Sequence, residues 1–209
     1  MPRQGKQGKT RKKKSADTES ADESDEDVAV RVRGNHIYFW CDVTKKSSLD
    51  LIMALQKVDE TERSKVFHYS DDERTPIYLH VNSYGGDVDA ALGVADTIEH
   101  LTSHGARVVT IVEGTAASAA TLISCVGTSR RIRPNATMRI HNFTSFLVGK
   151  KNAIDDEYDN LNKLEETLVK FYKKRTLMTA TQIKKLFASE TDLGPKECVR
   201  LGLIDKMIS

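Results

Sequence analysis

Apolar residues recur along the chain at two spacings, and each switch between them marks a new element. Ile37 to Val43 is rich in aromatic and β-branched residues, which predicts a strand, and Ser47 and Ser48 follow it as a capping signal. Leu49, Ile52, Met53, Leu55 and Gln56 then fall at helical spacing. Pro76 opens a second strand, Ile77 to Val81, and after Asn82 to Gly86 the positions Val88, Leu92, Ala95, Ile98 and Leu101 mark a helix. The nearly continuous apolar run from Arg107 to Glu113 reads as a strand buried on both faces. It feeds a helix of small residues from about Ala119 to Val126.

Arg130 to Ile140 reads as two short strands broken at Pro134-Asn135. Between Asn152 and Leu177, Ile154, Tyr158, Leu161, Leu164, Leu168, Phe171 and Tyr172 form one helical stripe, with charge on the other faces. Such a helix is long beside the mean of about 11 or 12 residues, so it either packs on its own core or meets another subunit. Ala180 to Phe187 predicts a further helix, and Lys196 to Leu201 a short one. Repeated strand-helix alternation gives an α/β domain with a mainly parallel sheet.

The 209 residues suit one domain with a tail. No apolar stretch approaches the roughly 18 residues that span a bilayer, so no membrane role and a cytoplasmic location are expected. Cys41, Cys125 and Cys198 are odd in number, far apart and set in apolar surroundings, which reads as reduced core thiols. The net charge of +2 hides a separation. Residues 1–14 are basic without an acid, and residues 15–27 are acidic without a base. With almost nothing to bury, residues 1–27 are expected to form a disordered tail ahead of a folded domain over residues 28–209. The tail reads as a solubilising extension; a nucleic-acid contact or localisation signal through Arg11 to Lys14 is the alternative.

Three places carry candidate chemistry. The segment Val112 to Thr121 ends a buried strand and starts a helix almost without side-chain bulk, with Ser118 at the helix start. Free N–H groups there favour developing negative charge, as a nucleophilic serine with an oxyanion hole requires, although serine is also a common helix cap. Asn82-Ser83-Tyr84-Gly85-Gly86 lies at the C-terminal end of a parallel strand, where open α/β sheets place ligands. No Lys-Ser/Thr pair follows, which excludes a phosphate loop and ATP use through one. His141 emerges after Met138-Arg139-Ile140 at a strand end. The other histidines show no pairing with a glutamate of the zinc-protease kind, so no metal is expected.

Taken in order, Asn82-Ser83-Tyr84-Gly85-Gly86, Gly114 to Ser118, Met138-Arg139-Ile140-His141 and Glu197 to Asp205 resemble the motifs of the ClpP family, the proteolytic subunits of the Clp serine protease. The resemblance runs from about His36 to Ser209. It implies a crotonase-like, ClpP-like α/β fold with the long helix as a protruding handle, and seven-membered rings stacked face to face as a homo-oligomer. It further implies a serine endopeptidase of polypeptide substrates, fed by a AAA+ unfoldase and needing no cofactor. Ser118 would be the nucleophile, His141 the general base, and the N–H groups of Gly86 and Ala119 the oxyanion hole. Two positions depart from the pattern. Tyr84 stands where the family has proline, and the family's aspartate falls on Glu190 by an unbroken count back from Asp205, with Asp192 as its rival. A non-catalytic ring or scaffold subunit is the alternative, and an acyl-thioester enzyme of the crotonase fold a third reading.

Overall fold

The computed structural model of the chain describes Met1 and residues 30–66, 75–142 and 148–209. The expected charged tail therefore lies, apart from Met1, outside the described residues. One seven-stranded sheet organises the rest. β1 (Val30–Arg33) and β2 (His36–Phe39) form an antiparallel hairpin that turns through Gly34, whose φ of 61° suits glycine. All other neighbours in the sheet run parallel: β2 with β3 (Ile77–Ser83), β3 with β4 (Val108–Ala117), and β4 with β5 (Ser129–Ile132). Further along, β4 also pairs with β6 (Thr137–Arg139), while β5 pairs with β7 (Lys206–Met207). The alternation of strand and helix thus gives an α/β sheet as expected, with one antiparallel edge that β1 was too short to announce.

Helices connect the parallel strands: α1 (Lys45–Val66), α2 (Val88–Ser103), α3 (Ala119–Ser124), α4 (Lys151–Arg175), α5 (Ala180–Phe187) and α6 (Pro195–Arg200). In β2 the side chains alternate: Ile37 and Phe39 are fully buried, whereas His36 and Tyr38 are half-buried. The buried set joins Leu79 and Val81 of β3, Leu51 and Leu55 of α1, and Ala95 and Ile98 of α2 in one core. Each large member stabilises the fold by about 1.5 to 3 kcal/mol.

Several boundaries move for identifiable reasons. α1 starts at Lys45, ahead of the expected Ser47-Ser48 cap. Thr44 takes the capping role instead, its Oγ1 accepting from Ser47 N–H at 3.0 Å, while the Ser47 hydroxyl donates to the Asp42 carbonyl at 2.7 Å. β4 continues past Glu113 to Ala117, and this extension carries the candidate nucleophile to its place. The α4 stripe buries only its C-terminal part, at Leu168, Val169, Phe171 and Tyr172; Tyr158 is exposed.

Candidate active site

The site begins with an irregularity between β3 and β4. Val81 pairs with Val112 and Ser83 with Ala116, so a two-residue step on β3 faces a four-residue step on β4. The extra residues bulge around Gly114, whose φ is 81°. Asn82 fills the bulge: its Oδ1 accepts from Thr115 N–H at 3.1 Å, and a Cβ on residue 114 would stand 2.7 Å from that oxygen. At the same point β4 exchanges its outer neighbour, β5, for β6. Glycine and asparagine together bend the strand so that Ala117 lies beside Arg139 and the next residue leaves the sheet.

That residue is Ser118. Its φ of 53° and ψ of −128° make it the one non-glycine residue with positive φ among those described. An ordinary N-cap has extended backbone and a side chain that accepts from the first turn. Ser118 has neither, and its hydroxyl makes no capping bond. The capping explanation for this serine therefore fails. Holding such a conformation costs on the order of 1 to 3 kcal/mol, and the surroundings impose it. Ser118 N–H donates to the Arg139 carbonyl at 2.8 Å, and the Ser118 carbonyl accepts from Thr121 Oγ1 at 2.6 Å. Thr121 Oγ1 lies 2.6 Å from the Tyr172 hydroxyl of α4, in a buried contact that ties α3 to the long helix. Burial pushes the Tyr172 phenol well above its usual range, so it stays neutral.

The Gly-Gly turn lies directly against this serine. A Cβ on residue 85 would come within 2.7 Å of Ser118 Cβ and 3.0 Å of Ala119 N, so only glycine permits the approach. Gly86, at φ 141°, is clamped from the other side by Val43, whose carbonyl a Cβ would meet at 2.2 Å. Val43 N–H donates to Gly85 O at 2.7 Å and Val43 O accepts from Asp87 N–H at 2.8 Å. Both bonds of this parallel bridge involve the residues flanking Gly86, which turns the Gly86 N–H away from Val43. Ala119 is the first residue of α3, so its N–H has no partner within the helix.

His141 is placed by a second register. Met138 and Leu193 exchange both backbone bonds, at 3.0 and 2.7 Å, in an antiparallel bridge. Continuing that register sets Asp192 opposite Arg139 and Glu190 opposite His141, with both pairs on one face because the positions differ by two. The side chains follow it. Arg139 Nε donates to Asp192 Oδ1 at 2.8 Å, and Glu190 Oε1 lies 3.5 Å from His141 Nδ1. The latter is close enough for charge attraction but longer than a formed hydrogen bond. The other Glu190 oxygen is 3.9 Å from Arg139 Nη1. The hydrogen bond from Arg139 holds the Asp192 carboxyl below its ordinary value.

A family model described as Clp protease matches residues 39–209. The chain belongs to the Clp protease family. It is 30% identical over 190 residues to the ATP-dependent Clp protease proteolytic subunit of Mesostigma viride, covering 87% of this chain and 82% of that protein. The protein of the same description from Chlorokybus atmophyticus is also 30% identical over 190 residues, covering 87% and 83%. Membership of the Clp protease family makes the chain a peptidase homologue and accounts for its α/β architecture.

Within this Clp protease chain, the Tyr84 side chain, at the position where the resemblance led us to expect proline, is exposed, and Gly85 and Gly86 beside it hold φ of 101° and 141°. Asn82 as the bulge filler, Thr121 and Tyr172 as the brace beneath Ser118, and Arg139 as the partner of Asp192 emerge only from the structure. The last had a readable signal in the two alternations, Arg139 with His141 and Glu190 with Asp192. Burial pushes the Cys125 and Cys198 thiols up to about 12, and all three cysteines are free. Among the described residues no helix is long and apolar enough to cross a membrane.

Proposed function

We propose that the chain is a serine endopeptidase that cleaves unfolded polypeptides. Ser118 Oγ attacks the scissile carbonyl while His141 Nε2 takes its proton, and Glu190 beside Nδ1 orients the ring and stabilises the imidazolium. The N–H groups of Gly86 and Ala119 receive the oxyanion. The carbon–nitrogen bond then breaks, the amine leaves with the His141 proton, and water releases the acyl group from Ser118 by the same steps in reverse. No metal or organic cofactor takes part in this scheme.

The observation that carries the reading is the conformation of Ser118: a strained residue, free of any capping bond, held against a glycine turn at the end of a parallel strand. The half-buried or exposed first part of α4 supports a further step, in which that helix is the handle of a crotonase-like subunit. In that assembly seven-membered rings stack face to face, the sites line an internal chamber, and a AAA+ unfoldase feeds it. The compartment we propose is the cytoplasm, where free thiols persist.

The second reading is a non-catalytic ring subunit, favoured by the 3.5 Å separation and the 74% exposure of Glu190. Peptide hydrolysis by the purified protein separates the two. Cleavage by the unmutated chain, lost by several orders of magnitude in Ser118→Ala with assembly intact, is expected. Equal cleavage by both rejects the peptidase reading.

A further inference from the structure

The two ion pairs beside the candidate nucleophile share one arginine, and their geometry is asymmetric. Asp192 receives a hydrogen bond of 2.8 Å from Arg139, whereas Glu190 stands between Arg139 at 3.9 Å and His141 at 3.5 Å, with one oxygen toward each. Arg139 touches Ser118, Asp192 and Glu190. Its carbonyl holds Ser118 N–H, and its guanidinium holds the acidic segment. From these contacts, resting on the peptidase reading above, we infer that Arg139 is a positioning residue: tethered by Asp192, it fixes the Glu190 carboxylate so that one oxygen faces the base His141.

The physical argument is one of competition. Glu190 is exposed, and an exposed carboxylate on a flexible side chain loses rotamer freedom when it pairs, so a single contact of 3.5 Å to the imidazole holds it poorly. A guanidinium on the same face adds a second attraction and confines the carboxylate between two donors. Left unpaired, however, Arg139 would capture Glu190 with a charge-assisted bond and draw it off the ring. Asp192 prevents this by occupying Nε. The tether needs the register of the Met138–Leu193 bridge, since a one-residue slip would send Glu190 and Asp192 to the opposite face. Among the described residues, Glu190 faces His141 directly, Asp192 of the segment before Leu193 and Arg139 of β6 lie on the same face, and Tyr84 of the glycine turn acts on Arg139.

Two substitutions test it in the full-length protein, each removing one member of the tether and keeping the backbone. Arg139→Met retains the carbonyl that holds Ser118, so it isolates the guanidinium. It should lower kcat about tenfold with KM within about twofold, as expected when a catalytic group loses its orientation. Arg139→Lys should recover most of that loss. Asp192→Asn should lower kcat about fivefold, and the double variant Arg139→Met with Asp192→Asn should be no worse than Arg139→Met alone. The acid limb of the pH–rate profile should move to higher pH in Arg139→Met, where two carboxylates face the imidazole unopposed, and to lower pH in Asp192→Asn. A loss of packing would shift both variants alike or leave the limb where it was.

Arg139→Met and Asp192→Asn both within twofold of the unmutated kcat, or limbs that move in the same direction or not at all, overturn the inference while Ser118-dependent cleavage continues. Cleavage that survives Ser118→Ala overturns the peptidase reading instead, and the role of Arg139 with it.

Discussion

The two halves of the candidate site are built by different forces. On the nucleophile side, Gly85, Gly86, Gly114 and Ser118 are fixed by backbone geometry, with contacts so close that a single added carbon would collide with Val43, Asn82 or Ser118 itself. On the acid side, Glu190 and Asp192 are exposed, and cross-strand pairing with the Arg139 guanidinium, with a contact from Glu190 to His141, sets their positions. Steric constraint defines where the serine sits to within a fraction of an ångström, because no alternative conformation fits. Charge attraction at a wet surface defines an orientation only as well as its partners hold each other. The first half is therefore intolerant of added bulk, and the second of changed charge.

Glu190→Gln should produce the largest effect on the charge-set half. An amide cannot hold the imidazole tautomer or stabilise its cation, and the expected loss is about 10³ to 10⁴-fold in kcat with little change in KM. Steady-state peptide kinetics check it; unchanged kcat would mean that His141 works without this carboxylate. For the geometry-set half, Gly86→Ala should cost about 10² to 10³-fold in kcat through one oxyanion donor. It should also cost about 2 to 4 kcal/mol of stability, from the clash with the Val43 carbonyl and the disfavoured φ. Urea unfolding measures the second figure, and a neutral result would show that the turn can yield.

Smaller changes sharpen the contrast. Glu190→Asp shortens the acid, and a rate within about tenfold of the unmutated one is expected, since the exposed segment can adjust where the glycine turn cannot. Asp192 gives the smallest effect, and its sign follows from the hydrogen bond to Arg139. A carboxyl lowered by that bond contributes stability above its ordinary value of 3.8, and loses it only as the pH falls through the lowered one. Carbon-13 titration of the Asp192 carboxyl should accordingly give a midpoint below 3.8, moving back toward that value in Arg139→Met. A midpoint at the ordinary value in the unmutated protein would show the pair to be open in solution.

The same division separates what the sequence discloses from what it hides. The glycine turn, the small residues around Ser118 and the strands that carry them are local features, and each could be read from a few neighbouring residues. The helices of the α/β framework were legible for the same reason: their apolar stripes run over many turns. β1 and β7 were harder, because strands of four and two residues carry too little periodicity, whereas β5 and β6 were marked by the break at Pro134-Asn135. The cap of α1 was misplaced because Thr44, Ser47 and Ser48 are all capping residues, and only the contacts decide among them. Glu190 was picked out by counting back from Asp205, and it stands 3.5 Å from His141. The tether between Arg139 and Asp192 was not seen, since it depends on a register between segments some fifty positions apart, set by the bridge at Met138 and Leu193.

The central claim is that Ser118 is a nucleophile activated by its neighbours, and covalent labelling tests it most directly. The purified protein would be treated with a fluorophosphonate probe and the modified residue located by peptide mass spectrometry. Modification on Ser118, absent in Ser118→Ala and slowed in Glu190→Gln, is the predicted result. A protein that stays unlabelled, or carries the probe on another residue, would contradict the account.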